Sequence, residues 1–562
     1  MQKKHLFMAS AAILLMTSCS GKLGALSADN FNVTPNPLET QAGEVPVTVN
    51  GLFPEKYMKK KAVVTVTPVL RYQTLEGEKS VNGTSTTFQG EKVLGNDQTV
   101  SYLIGGRYSL KSSFKYLPEM QNSDLYMTFN AKVGKKQVNV PDVKVGTGII
   151  ATSELYKRTL GSARPALAQD AFQRVIAQRQ EANIRFLIGQ AELRKSELQN
   201  NSVQEFVRLL GEIARDQETK ALDGVEVSAY ASPDGGLALN DRLAGRRQDV
   251  AASYVERQMK QSGVDSPVDT KYTAEDWEGF QQLVAASDIQ DKDVILRVLS
   301  LYQDPEEREE QIKSISVAFR ELADGILPQL RRARLTINYL LIGRDDDQIL
   351  QQLRDDASQL SIEEILYGAT LYDEDINAQE AAYKQAIRFY PKDARAYNNV
   401  ALIEYAKGNV EEARLYLKNA LKTDANQPEA NANMGLLSLY DGDMVAAESY
   451  IAKAANANGL AEVLGNLHLA QGKYVQAEND FEKINSNSAA LAQILNKNYA
   501  AATNTLSHVA NPDATTDYLS AILAARTGKA ADAASALRQA LSKDASLRKY
   551  AEKDLELANV SK

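Results

Sequence analysis

The chain has 562 residues, too many for one ordinary hydrophobic core, and should divide into about three or four domains. Its hydrophobic content of 44% and charged content of 24% are those of folded domains. A formal charge of -8 argues against general adhesion to nucleic acid or to anionic membrane, since both need a basic surface.

The N-terminal stretch MQKKHLFMASAAILLMTSC has basic Lys3 and Lys4, an apolar run over 6–16 and small residues before Cys19. The run is too short to cross a bilayer permanently, so residues 1–18 read as a cleaved signal peptide. Met16-Thr17-Ser18-Cys19 resembles a bacterial lipobox, with Met in place of the usual Leu. The resemblance implies cleavage before Cys19, acylation of its sulfur and an outer-membrane anchor followed by a linker over 19–28. Cys19 is the only cysteine, so no internal disulfide can form. No acidic cluster follows it, which points to the periplasmic face rather than the cell surface.

Residues 29–152 read as β-structure. DLYMTFNAKV places Leu125, Met127, Phe129, Ala131 and Val133 at period two, the mark of a half-buried strand. VVTVTPVL and VNVPDVKV add Val-rich segments, and Pro35, Pro37 and Asn82-Gly83 mark turns. An immunoglobulin-like β-sandwich is expected, serving as a spacer or docking module. The run Lys59-Lys60-Lys61 reads as a solvated turn or edge.

A helical connector is expected over 153–179, broken near Gly161 and Pro165. Beyond it come an apolar strand over 184–188, an amphipathic helix over 197–215, and a strand and helix in VEVSAYASPDGGLALNDRLAGRRQDVAASYV. A strand near 268–272, helical sequence over 275–326 and a last strand in LRRARLTINYLLIG complete an α+β domain over 180–343.

After a linker over 344–359, the chain from 360 to 562 is helical and repetitive. Turn residues recur at Gly408, Gly442, Gly472, Asn498 and Gly528, at spacings of 34, 30, 26 and 30. Ala413, Ala447, Ala477 and Ala533 each follow a turn by five residues, whereas Thr503 breaks the pattern. A glycine or asparagine at a helix end permits a left-handed turn, and a small residue beyond it lets helices pack closely. ARAYNNVALIEYAKGNVEEARLYLKNAL resembles a tetratricopeptide repeat, with Tyr397, Gly408, Ala413, Leu417 and Ala420 at that family's key places. The resemblance implies a solenoid of about five repeats whose concave face takes an unidentified protein partner.

In the ASPDGG turn, chemistry is constrained by what is missing. Neither GxxxxGK[ST] nor GxGxxG is present, which removes a phosphate loop. His5 lies in the signal, and His468 and His508 are isolated in helical sequence, so nothing near the turn can activate Ser232. Neither metal nor cofactor is expected, and no catalytic residue. Asn240 can cap the helix after the turn. In that helix Leu243, Arg247, Val250 and Tyr254 form one stripe, with Arg246 at its edge. An inward arginine must be hydrogen-bonded or paired. It reads as an internal ion pair, a snorkelling side chain, or a planar fork offered to a ligand carboxylate.

AYASPDGGLALNDRLAGRRQ also resembles the OmpA-like peptidoglycan-associated domain, whose pattern is G-H-T-D-x-x-G followed by N-x-x-L-S-x-x-R-A. Asn240, Leu243 and Arg247 occupy the family's asparagine, leucine and arginine places, and Arg331 and Arg332 match the paired arginines that open its last strand. The family clamps a diaminopimelate stem peptide between an aspartate and the helix arginine. Ser232 stands at the aspartate's place and Ala244 at the helix serine's, so half of the clamp is missing by direct correspondence. Asp234 is the acidic residue of the same turn that could replace it.

The expected molecule is a multidomain, non-enzymatic lipoprotein with an N-terminal all-β sandwich, a central α+β OmpA-like domain and a C-terminal α-solenoid. It would tether the envelope to peptidoglycan and scaffold partners on its repeats. A second reading is an assembly or secretion-complex subunit whose OmpA-like domain has lost cell-wall binding. A third is a cell-wall hydrolase working through two carboxylates, although no spacing singles out a pair.

Overall fold

The computed structural model describes residues 23–289, 291–314 and 320–560. The chain forms two compact units: Met1–Gln169 together with Tyr372–Lys562, and Asp170–Leu371. The β-region and the repeats therefore belong to one unit. Among the described residues no helix is long and apolar enough to cross a membrane. Cys19, the signal peptide and the start of the linker lie outside the described residues.

In the first unit, alternation in EVPVTVNGLF buries Val45, Val47, Val49 and Phe53 from the strand Glu44–Phe53. That strand lies between Phe31–Thr34 and Gly106–Lys115 in one antiparallel sheet. A larger sheet is built around Ala62–Thr74, which pairs with Asp124–Val133 on one side and Thr86–Gly90 on the other. Both sheets contribute to one core, where Phe53 meets Phe88 edge-on with ring centroids 5.2 Å apart. Burying such apolar faces on both sides of a two-layer sheet is the main stabilisation of this part.

The repeat region begins with the helix Ile376–Phe389 and continues, among the described residues, as five helix pairs. Each pair consists of a first and a second helix: Ala394–Ala406 with Val410–Thr423, Pro428–Asp441 with Met444–Ile451, Leu460–Ala470 with Tyr474–Asp480, Asn487–Leu495 with Tyr499–Ser507, and Ala514–Arg526 with Ala530–Lys543. Gly408, Gly442, Gly472 and Gly528 all adopt positive φ between paired helices. In the fourth pair the left-handed residue is Lys497, not Asn498, which instead caps the second helix by accepting from the N–H of Ala501. Counting five residues from Lys497 reaches Ala502, which is fully buried, as are Ala447, Ala477 and Ala533. The apparent break at Thr503 is thus a one-residue misreading of register. Tyr397 packs at the first interface, and its hydroxyl donates to the Pro391 carbonyl at 3.2 Å.

The second unit holds a four-stranded sheet in the order Val175–Arg185, Arg332–Ile342, Lys220–Tyr230, Val268–Thr273. Only the last two pair in parallel. The helices Asn201–Arg215 and Leu237–Ser262 cover the sheet, joining Phe206, Leu210, Tyr254 and Val255 to Val225, Val227, Leu335 and Ile337. The insertion, beginning at Trp277, packs around its own core of Phe280, Val284, Ile295 and Leu327.

Three boundaries differ from those expected. The connector is helical only in short turns over Thr152–Leu155, Tyr156–Thr159 and Leu160–Ser162, and extended from Ala163. Residues 175–179 belong to a strand rather than a helix, and the strand expected over 184–188 ends at Arg185. VIAQRQEANIR lacks a clear two-residue hydrophobic pattern because its first half is exposed; pairing with Arg332–Ile342 over the whole strand overrides its local preference. The 344–359 linker contains the helix Asp346–Asp356, started by a reciprocal cap between Asp345 and Gln348. That helix and Ile362–Thr370 belong to the second unit, so the solenoid's compact unit resumes at Tyr372 rather than at 360.

Candidate functional site

The central turn follows the buried strand Lys220–Tyr230, and the helix starts at Leu237 with Gly236 as its cap. Asn240 therefore lies inside the first turn of the helix, and its amide donates back to the Gly235 carbonyl at 2.7 Å. It secures the turn instead of capping the helix.

Arg247 is only 1% exposed. Its Nε donates to the Gln190 carbonyl at 3.0 Å, Nη1 to that of Tyr230 at 2.9 Å and Nη2 to that of Leu187 at 3.2 Å. The Phe186 ring lies 5.2 Å from the guanidinium carbon. Burial pushes this guanidinium down to about 10, and the nearby Arg331 charge acts in the same direction. The expected ion-pair, snorkelling and ligand-fork roles for Arg247 are thereby corrected. It is neither an ion-pair member nor a fork open to a ligand, because all three of its nitrogens donate to backbone carbonyls, two in one loop and one at a strand end.

Arg331 donates from Nη2 to Asp234 at 2.8 Å and from Nε to the Ser232 hydroxyl at 3.1 Å. Ser232 in turn donates to the Asp234 carboxylate. Arg332 pairs with Asp276 at 2.8 Å, both side chains nearly buried, and lies over the Tyr230 ring. Burial lowers the Arg332 value, and the Asp276 charge partly offsets that. Asp276 also caps the inserted helix Trp277–Ala285 by accepting from the Gly279 N–H at 2.9 Å. The structure thus brings Ser232, Asp234, Arg247 and Arg331 together, but each charge already has a partner. Arg246 is exposed beside them.

A second constellation lies in the solenoid. Residues 152–169 run across the first helices of successive pairs. Asn398 and Asn433 donate to the Ala166 carbonyl at 3.0 and 2.8 Å, and the Ala166 N–H donates to Asn433 at 2.6 Å. Asn399 accepts from the Ala168 N–H at 3.0 Å and donates to its carbonyl at 2.9 Å. Tyr405 donates to the Leu160 carbonyl, Thr152 to Glu556, and Arg158 pairs with Asp544. This asparagine ladder treats the segment as an extended peptide, reading both the N–H and the carbonyl of the alternate residues Ala166 and Ala168. The inner surface expected to be free for a partner is occupied by the chain's own connector. The asparagines were not recognised from sequence, since polar residues on a helix read as solvent-facing until the segment covering them is placed.

Beside the segment, a cavity of about 450 Å³ is lined by Arg164, Glu462, Lys483 and His508 among others. Glu462 is almost wholly buried, and one carboxylate oxygen lacks a hydrogen-bond partner among the described residues. Burial pushes its carboxyl up to about 7, opposed by the backbone N–H and charge of Arg164. His468 is paired with Asp480 at 2.6 Å.

A family profile described as Tetratricopeptide repeat matches residues 374–430. Among solved structures, a tetratricopeptide repeat protein from Parabacteroides merdae is similar at 16% identity, covering 38% of this chain and 90% of that one, with a TM-score of 0.28. Pseudomonas aeruginosa PilF is similar at 18% identity, covering 37% of this chain and 98% of that one, with a TM-score of 0.27. Yeast Tom70 covers 63% of this chain and 78% of that one, at 11% identity and a TM-score of 0.23. No curated protein matches the chain significantly. The C-terminal region carries tetratricopeptide repeats, a module that mediates protein–protein contact.

Proposed function

We propose that this chain is a non-enzymatic scaffold of the bacterial envelope, anchored through lipid on Cys19, whose OmpA-like central domain has given up the stem-peptide clamp. The observation that carries the reading is the closure of the three arginines. Arg247 is spent on carbonyls, Arg331 on Asp234, and Arg332 on Asp276. Opening any of them to a diaminopimelate group would strand buried partners, at a cost of about 2–5 kcal/mol for a hydrogen-bonded charge pair. This favours the assembly-subunit reading over direct tethering to peptidoglycan. Partners then engage the solenoid outside its filled inner face, where Val445 and Val475 stand exposed at equivalent positions of two second helices.

Sedimentation with isolated peptidoglycan tests the clamp. The mature protein should stay in the supernatant, and so should Arg331→Ala, which frees Asp234. Retention of the wild type that is lost in Asp234→Ala would restore the tethering reading. Membrane fractionation tests the anchor separately, because Cys19→Ser should move the protein to the soluble fraction.

A further inference from the structure

One end of the β-sandwich combines exposed apolar side chains with a concentration of lysine. The pairings Phe53↔Gly106, Ala62↔Val133 and Val63↔Gln89 place the loops after Phe53, after Gly90 and after Val133, with the one before Gly106, at the same end of the sheets. Backbone bonds tie these loops together: Lys56 N–H to the Tyr102 carbonyl at 2.6 Å, Lys92 to Lys60 at 2.7 Å, and Gly134 to Lys61 at 2.9 Å. Leu94 is fully exposed in this region, Leu103 is 65% exposed and Ile104 79%. Around them stand Lys56, Lys60, Lys61, Lys92, Lys135 and Lys136, all exposed and none in an ion pair among the described residues. Lys59 lies 5.1 Å from the centre of the Tyr102 ring. These lysines outnumber the acidic side chains of the same loops, Glu55, Glu91 and Asp97, so the overall charge of -8 conceals a local positive excess.

Two further facts select the occupant. The described chain enters at this end: Leu23 is buried in the sandwich core, a Cβ placed on Gly24 would meet the Tyr57 ring at 3.9 Å, and Phe31 pairs with Gly51. Residues 1–22, which hold the apolar run and Cys19, precede that entry point directly. The solenoid meets the opposite end, through Gln41 to the Gly472 carbonyl at 3.1 Å and Tyr550 to the Ala151 carbonyl at 2.9 Å.

We infer that this lysine-collared apolar end of the sandwich rests on a bilayer bearing anionic headgroups. Leu94, Leu103 and Ile104 enter the headgroup boundary, and the lysines neutralise lipid phosphates around them. The inference deepens the anchored reading by naming the surface that meets the membrane. It requires no lipid on Cys19 for its test.

The chain from Ser20 onward retains every described residue and lacks Cys19. It should float with vesicles of phosphatidylcholine and phosphatidylglycerol, float poorly with phosphatidylcholine alone, and be released by salt. The Lys59→Gln/Lys60→Gln/Lys61→Gln protein should bind about a hundredfold more weakly, at about fivefold per lysine. Leu94→Ser/Leu103→Ser/Ile104→Ser should also lose binding, with circular dichroism unchanged in both variants. No flotation of the parent chain overturns the inference, as does equal flotation of folded variants. Specific capture of a protein at this end with vesicles unbound overturns it too. Failure here leaves the Cys19 fractionation result standing on its own.

Discussion

Arg247→Ala would leave the carbonyls of Leu187, Gln190 and Tyr230 without their guanidinium donors. A hydrogen bond to a charged group contributes about 1.5–3 kcal/mol, so a loss on the order of 4 kcal/mol is expected in chemical denaturation. The stripe Leu243, Arg247, Val250 and Tyr254 announced an inward arginine from sequence alone. What it met there was not readable, because two of its three acceptors come from residues 57 and 60 positions away. Glu462 gives the residue-scale pH prediction. Its raised carboxyl value means that the native chain holds the proton more tightly than the unfolded chain does. The stability this contributes is full below the ordinary value of 4.5 and is lost as pH rises through about 7. The difference is about 3 kcal/mol across that window. Denaturation of Glu462→Gln at pH 5 and pH 8 should show that much less pH dependence than the parent protein.

The element that matters most is the segment over 152–169. Asn399 and Asn433 each bond both the N–H and the carbonyl of one residue of the segment, so Asn433→Leu strips the Ala166 N–H of its acceptor and leaves its carbonyl with the Asn398 donor alone. Faster hydrogen exchange at 163–168 is expected in that variant, with the rest of the repeats protected, at a cost of about 2 kcal/mol. Helix contact within the repeats is set equally closely. A Cβ at Gly465 would come within 2.5 Å of the Phe481 ring, and Gly465→Ala should cost about 1–3 kcal/mol in thermal or chemical melts. The turn glycines were legible in sequence because positive φ restricts the residue type. Gly465 was not, because its role depends on which ring faces it. Lys497 shows the same limit, since a lysine in the left-handed region gives no compositional signal.

At the scale of the whole molecule, the two compact units can be followed separately. The single tryptophan, Trp277, belongs to Asp170–Leu371 and reports that unit alone. Arg247→Ala should shift the tryptophan transition, whereas Asn433→Leu should leave it in place and move the larger far-ultraviolet transition. Coincident shifts of both signals in either variant would contradict this division. The repeats themselves were evident from spacing and small residues, and residues 374–430 match the tetratricopeptide family. The central α+β order was evident from alternation and helical stripes.

By itself, then, the amino-acid sequence determined most kinds of element outside the connector and the linker, the repeat period and the inward direction of Arg247, since each depends on local backbone chemistry and periodic burial. Tertiary structure decided which groups were already taken. It closed Arg247 on three carbonyls, paired Arg331 with Asp234, filled the solenoid's inner face with the connector and gathered distant lysines around exposed leucines at one end of the sandwich. Hydrogen-bond capacity and charge are spent on whatever partner lies within about 3 Å, and partners far apart in the chain become neighbours only when the sheets and helices pack.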